Sequence, residues 1–281
     1  MEIRLVTQAE AQPAAAVIAA AFNRPMRVDE LLRCVELQPD GCFIALLDDR
    51  VVGTVEAVDF GSFAYLGLMT VDPARRRLGI GRALMERVLG WLDGRGTPAV
   101  LLDATPMGYP LYASLGFQDR DEARTFQAPE PGCLVAPEDG KVQVQALTPG
   151  DLDEVLAFDA EAFGAERGVL WRSYLRDHPG RAFFTRGAGG QVNGCLMARP
   201  RSLGPWTASD PEAARALLRA ALELEYESPP TVVVPGVNVD GGGMLESCGF
   251  TLQRSIRHMQ RGGPAHRRRE WVYGQASYAL G

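Results

Sequence analysis

Between Leu66 and Met85 the chain reads Leu-Gly-Leu-Met-Thr-Val-Asp-Pro-Ala-Arg-Arg-Arg-Leu-Gly-Ile-Gly-Arg-Ala-Leu-Met, and no other stretch limits the fold so closely. An apolar run stops at Asp72-Pro73, where proline removes a backbone donor and ends a ladder. Three arginines and two glycines follow. Leu84, Val88, Leu89 and Leu92 then recur at helical spacing. A strand must therefore pass through a short basic loop directly into a helix. Such a junction is an anion seat: the first-turn amides lack intrahelical partners and the helix dipole adds positive potential. Gly79 and Gly81 let a bulky group approach the backbone, and Arg76, Arg77 and Arg82 supply charge-assisted hydrogen bonds. A pyrophosphate fits. No Gly-Lys-Ser/Thr follows, which excludes a P-loop, and the GxGxxG pattern is incomplete, which argues against a dinucleotide fold.

The rest of the chain reads as one α/β unit written twice. In the first half, residues 3–6, 42–47, 51–60, 65–71 and 100–103 read as strands, with 117 opening another. Residues 9–22, 28–37, 82–92 and 110–115 read as helices. Breakers without periodicity fill 127–141. The pattern then restarts: strands at 142–146, 182–185, 191–197 and 231–234, helices at 150–158, 211–223 and 243–248. Leu115-Gly116-Phe117 is echoed by Cys248-Gly249-Phe250, each after a short helix. The expected division is a first domain over 1–126, a linker over 127–141 and a second domain over 142–281. The second half lacks such a basic glycine loop. Where that loop is expected, the chain reads Arg201-Ser202-Leu203-Gly204-Pro205-Trp206-Thr207-Ala208, without paired glycines.

Arg76-x-x-Gly79-x-Gly81 after Val71-Asp72-Pro73 resembles motif A of the GNAT superfamily of N-acetyltransferases. Leu111-Tyr112-Ala113-Ser114-Leu115-Gly116-Phe117 resembles its Tyr-x-x-x-Gly-Phe signature. The two cover residues 1–125. Phe163-Gly164-Ala165-Glu166-Arg167, Asn238, Gly249-Phe250 and Tyr273-Gly274-Gln275-Ala276-Ser277 look like the second domain of YitH/HepE-type tandem GNAT proteins. The resemblance implies two tandem GNAT-like domains, each a mixed, mostly antiparallel twisted sheet flanked by helices. It implies acetyl-CoA as cosubstrate, its pyrophosphate on the amides from Arg77 through Leu78, Gly79, Ile80 and Gly81 to Arg82. The pantetheine arm would lie along Leu68, Met69, Thr70 and Val71, with the Met69 amide as oxyanion donor and Tyr112 protonating the leaving thiolate. Thr105 stands where the family often has asparagine. Tyr65 stands where some members carry a catalytic glutamate, so Glu56, Asp103 or a water chain is left as base. Direct transfer to a primary amine in a ternary complex is implied. A non-catalytic acyl-CoA sensor, or a scaffold that binds no cofactor, is the competing class.

Composition narrows the rest. A net charge of −6 gives no general attraction for nucleic acid or membrane surfaces. Cys34, Cys42, Cys133, Cys195 and Cys248 are odd in number and scattered, which suits a reducing compartment and neither a disulfide framework nor a zinc knuckle. The first half contains no histidine, and no metal site is expected. No signal-like start or long apolar span occurs, so a cytoplasmic protein is expected. His178 and the run Arg267-Arg268-Arg269 read as solvated loops, Cys133 as an inert linker thiol and His258 as a strand residue with a structural role first and a pocket-facing one second. Arg167, Trp171 and Tyr174 are candidates to line an acceptor pocket in the first domain.

Overall fold

The computed structural model describes residues 1–23, 28–130 and 142–281. In the first half the order is β1 (Glu2–Leu5), α1 (Ala11–Phe22), α2 (Val28–Leu37), β2 (Cys42–Leu47), β3 (Arg50–Asp59), β4 (Ala64–Val71), α3 (Ile80–Arg95), β5 (Ala99–Ala104), α4 (Tyr109–Ser114) and β6 (Gln118–Gln127). In the second it is β7 (Val144–Ala146), α5 (Leu152–Phe163), α6 (Gly168–Asp177), β8 (Ala182–Arg186), β9 (Val192–Arg199), β10 (Ser202–Ala208), α7 (Pro211–Leu222), β11 (Thr231–Pro235), α8 (Val239–Ser247), β12 (Thr251–Gly262) and β13 (Val272–Gly274). The same order recurs in both halves until β13. Of the stretch 127–141 expected as linker, Gln127 closes β6, and 131–141, with Cys133, lie outside the described residues.

The strands form one continuous sheet in the order β1-β2-β3-β4-β5-β12-β6-β11-β10-β9-β8-β7. Among the described residues only β4–β5 and β10–β11 pair in parallel, so the sheet is mixed and mostly antiparallel. Each half closes with a strand that the other half uses. All six residues of β5 pair with β12, from Ala99↔Gly262 to Ala104↔Arg257. In return β6 pairs with β11, from Ala123↔Pro235 to Gln127↔Thr231. The two exchanged strands also pair with each other.

Helix α3 covers one face of the first half. Ile80, Leu84, Val88 and Leu92 line up on one side, buried against Phe43, Val55, Ala57, Leu66 and Leu102. Gly96, at φ 74°, ends the helix in the left-handed conformation that glycine adopts without penalty. The opposite face holds α1 and α2 over Ile44 and Leu46. Further along, the same face meets the second half through Val58, Phe158, Trp171 and Leu280.

Two readings of the second half need correction. All of the stretch 201–208 but Arg201 is strand β10, the counterpart of β4, so it does not stand where the cofactor loop would be. The counterpart of that loop is Ser209-Asp210, just before α7. Helix α6 was not foreseen. A protease site placed in residues 131–141 should, once cut, leave two fragments that co-elute on size exclusion and separate only in denaturant. Fragments that part in native buffer would contradict the exchanged pairing.

Candidate active site

Strands β4 and β5 pair only from Ala64↔Val100 to Leu66↔Leu102. Beyond that point β5 stays with β12 while β4 stays with β3, so the two strands part. The parting coincides with an irregularity in β4. The β3–β4 register shifts between Thr54↔Thr70 and Glu56↔Gly67, and Leu68 sits at φ 42°, a conformation a branched side chain rarely adopts. Thr54 holds the bulge: its hydroxyl lies 2.6 Å from the Leu68 carbonyl, to which it donates, and 2.7 Å from the Thr70 hydroxyl. Leu68, Met69 and Val71 are half-buried and Thr70 is buried.

The loop after β4 is fixed by Asp72, whose side chain accepts from the Ala74 amide. Arg77 takes φ 65° and Gly79 φ 79°, which brings the chain to the start of α3. A Cβ on Gly79 would meet nothing within 4 Å, whereas one on Gly81 would lie 2.8 Å from the Met69 methyl and 3.5 Å from Leu111. A Cβ at position 81 would displace only the end of the flexible Met69 side chain, whereas Gly79 is called for by its dihedral. Arg77, Leu78 and Arg82 are exposed, Arg76 is half-buried with a long contact to the Ala21 carbonyl, and Ile80 is core. Arg82 bridges α3 to α4 through the Ser114 hydroxyl at 2.8 Å. Thr105 forms the turn into α4, its carbonyl accepting from the Gly108 and Tyr109 amides.

Tyr112 projects from α4 into the cluster beneath α3, 8% exposed and edge-on to Phe117. Burial pushes its phenol up to about 12, so it stays protonated and can donate. The other face of the sheet carries the two carboxyls considered as bases. Glu56 is 1% exposed, and neither of its oxygens has a hydrogen-bond partner among the described residues. Burial pushes it up to about 8, slightly offset by the Cys34 thiol of α2. Its Oε1 lies 3.1 Å from where a Cβ on Gly67 would be, beside Ala279.

Asp103 belongs to a buried network across the exchanged strands. Tyr65 Oη donates to it at 2.6 Å, His258 Nδ1 at 2.8 Å and Gln275 Nε2 at 3.1 Å. Burial alone would raise this carboxyl, but the bonds from His258 and Tyr65 hold it below the ordinary range. Burial and nearby Arg269 pull the His258 imidazole down to about 4, against the pull of Asp103. His258 therefore meets a carboxylate rather than a pocket.

Other expectations resolve as follows. Trp171 and Tyr174 are core residues, not pocket lining. Arg167 touches a cavity wall, but its guanidinium is paired with Asp159 at 2.7 and 2.8 Å and donates to the Gly281 carbonyl. The run 267–269 is not a plain exposed loop. Arg268 is exposed, Arg267 lies over the Phe163 ring and Arg269 pairs with Asp121. The roles of the Leu68 bulge, Gly81 packing and Gln275 were missed. Only the glycine had any local sequence signal.

The corresponding cleft of the second half is filled by its own chain. Strands β10 and β11 pair only at Ser202↔Thr231 and Leu203↔Val232. Beyond that, β13 pairs with β10 at Trp206↔Gly274 and Thr207↔Val272, and the Gln275 amide reaches the Val233 carbonyl of β11. At the start of α7, Asp210 accepts from the Ala213 amide at 2.8 Å and from Asn193 at 2.9 Å. A carboxylate of the protein thus sits at that helix N-terminus.

The family model for the acetyltransferase (GNAT) family matches residues 13–117, and one for an acetyltransferase (GNAT) domain matches residues 155–274. This chain is a tandem-domain member of the GNAT superfamily and an N-acetyltransferase. Holothin acyltransferase of a Pseudoalteromonas strain is 26% identical over 89% of this chain and 84% of its own length. Mycothiol acetyltransferase of Clavibacter michiganensis is 29% identical over 59% of this chain and 55% of its own. A solved structure from Pyrococcus horikoshii superposes with a TM-score of 0.86 at 25% identity, covering 100% of this chain and 95% of that one. A tandem GNAT protein from the clavulanic acid biosynthesis pathway shares the fold at 17% identity and a TM-score of 0.66, covering 94% and 99%. GNAT acyltransferases act on small-molecule or peptide amines. Among the described residues no helix could cross a membrane and no cluster of potential metal ligands occurs.

The depressed imidazole gives a sign to the pH dependence of stability. Between the folded value near 4 and the ordinary value, the unfolded chain binds the proton that buried His258 refuses. Its contribution is complete above the ordinary histidine range and is lost as pH falls toward 4. The melting temperature should therefore drop between pH 7 and 4, and His258→Gln should flatten that decline. An unchanged slope in the variant would show that other groups set it.

Proposed function

We propose that the first half binds acetyl-CoA in the parting between β4 and β5 and transfers its acetyl group directly to a primary amine in a ternary complex. The observation that carries this reading is the junction of three features: the parted strands, the β4 bulge and the Gly79–Gly81 helix start. An extended pantetheine arm would run beside Leu68, Met69, Thr70 and Val71 as an added half-strand. The pyrophosphate would rest on the amides of residues 77–82, where the Gly79 face leaves room and Arg76, Arg77 and Arg82 supply charge. The Met69 amide polarises the thioester carbonyl. Tyr112, on the α3 face, is held protonated near 12 and gives that proton to the sulfur, within hydrogen-bond reach, as the C–S bond breaks.

The second half takes no cofactor in this reading. Strand β13 fills the place of the pantetheine arm, and Asp210 brings negative charge to the helix start that would have to hold a phosphate. Its task is to complete the sheet and wall the site.

Calorimetric titration with acetyl-CoA should give one equivalent per chain, and Gly79→Trp should abolish it. Tyr112→Phe should keep the binding and lower kcat by about a hundredfold. No binding by the unaltered protein would refute the transferase reading; two equivalents would refute the closed second cleft.

A further inference from the structure

Helix α2 belongs to two neighbourhoods at once. Leu31 and Cys34, one turn apart, are its buried residues and face the first half. Leu31 joins Ile18, Ile44 and Leu46 in one cluster, and Cys34 lies beside the Glu56 carboxyl. Arg33, Glu36 and Leu37 share another side of the helix and face the second half. Leu68, at the β4 bulge, packs against both clusters, the one that contains Leu31 and the one that Leu37 joins.

The two contacts of α2 differ in kind. Toward the sheet it is held by apolar packing. Toward α6 it is held chiefly by Arg33, whose guanidinium pairs with Asp177 at 2.9 Å, meets the Ser173 hydroxyl and lies 4.8 Å over the Tyr174 ring. A second pair, Arg176 with Glu36 at 2.7 and 3.0 Å, is exposed on both sides, where water and salt leave an ion pair little strength. Arg33, by contrast, is only 11% exposed. Beside this joint a cavity of about 500 Å³ opens between the halves, lined by Leu37 of α2, Leu156 of α5 and Val169 of α6 among others. On this side the helix therefore has one strong tie and room to move.

Resting on the acetyl-CoA reading above, we propose that α2 is a lid over the β4 bulge, latched to the second half by Arg33, and that bound donor favours the latched state. Arg33 touches no reacting atom. It is a positioning residue that acts through α2 on Leu68, the first of the residues along which the pantetheine arm would lie. With α2 latched, Leu68 is pressed from both clusters and the bulge keeps the form that sets the Met69 amide. With α2 released, Leu68 loses the Leu31 side of that packing. A ligand that needs the bulge binds the latched state better, and by linkage its binding closes the lid. The second half, which takes no donor itself, thus has a part in the reaction of the first.

Cys34 reports on the lid. Its thiol is buried on the inner side of α2, and burial, together with the Glu56 carboxyl, holds it well above the ordinary thiol range, so it reacts only when α2 lifts. The whole chain is treated with iodoacetamide and the modified cysteines are located by peptide mass. Label at Cys34 measures lifting, and label at Cys195, fully buried in β9, measures unfolding of the molecule. Arg33→Met should speed labelling of Cys34 more than about tenfold while Cys195 stays unlabelled. Asp177→Asn should act in the same direction, and the double variant should label no faster than Arg33→Met alone, since both remove one interaction. Saturating acetyl-CoA should slow labelling of Cys34 at least about threefold in the unaltered protein. Equal labelling of Cys34 in the unaltered protein and Arg33→Met would overturn the latch, and so would Cys195 rising in step with it. Faster labelling in the variant with no effect of bound acetyl-CoA would overturn the coupling to the donor. A protein that binds no acetyl-CoA by calorimetry, yet lifts α2 in Arg33→Met, would overturn the donor reading and leave the lid in place.

Discussion

A β-strand has two edges, and each must find backbone partners or water. Strand β5 meets this requirement with β4 on one side and with β12, from the far end of the chain, on the other. Because β12 holds β5 along its whole length, β5 can lose β4 after Leu102 and still keep an unbroken ladder. The parting proposed to receive the donor is therefore secured from the second half. The same contact buries Asp103 against His258, an interaction that exists only when both halves are in place.

The site is a set of local irregularities on a regular sheet. Leu68 is held at positive φ because Thr54 bonds its carbonyl and because the strands on either side are fixed. Gly81 sits against the end of the Met69 side chain, while Gly79 is glycine for its dihedral. The two glycines of one motif thus answer two different constraints. The two acidic residues of the opposite face differ just as clearly. Asp103 is satisfied by three donors and stays ionised, whereas Glu56 has none and is held protonated until about pH 8.

What could be read in the sequence was what local physics decides. The strand–loop–helix at 66–85, the short helix carrying Tyr112 and the echo of Gly116-Phe117 in Gly249-Phe250 depend on neighbours in the chain, and they carry the fold family and mark the proposed cofactor seat. The exchange of β6 and β12 depends on which distant edge is available, and nothing within Thr251–Gly262 names its partner. Strand β10 was hidden by Gly204-Pro205, residues that usually break a ladder. Here they fall at a shift of register between Leu203 and Trp206, where a proline costs no regular hydrogen bond. Helix α6 was hidden because Arg167 gives no side-chain cap to announce it.

The filled second cleft changes what mutation can do in each half. In the first, the loop from Arg76 to Arg82, if it holds the cofactor as proposed, answers to a small molecule, so few replacements keep its charge, dihedrals and clearance together. In the second, the equivalent space answers only to the packing of Val272–Gly274 against Trp206 and Val232. Many apolar combinations satisfy packing. Two copies of one fold can then drift at different rates, faster where only packing constrains the cleft and slower at the glycine–phenylalanine ends that both still need for their shape.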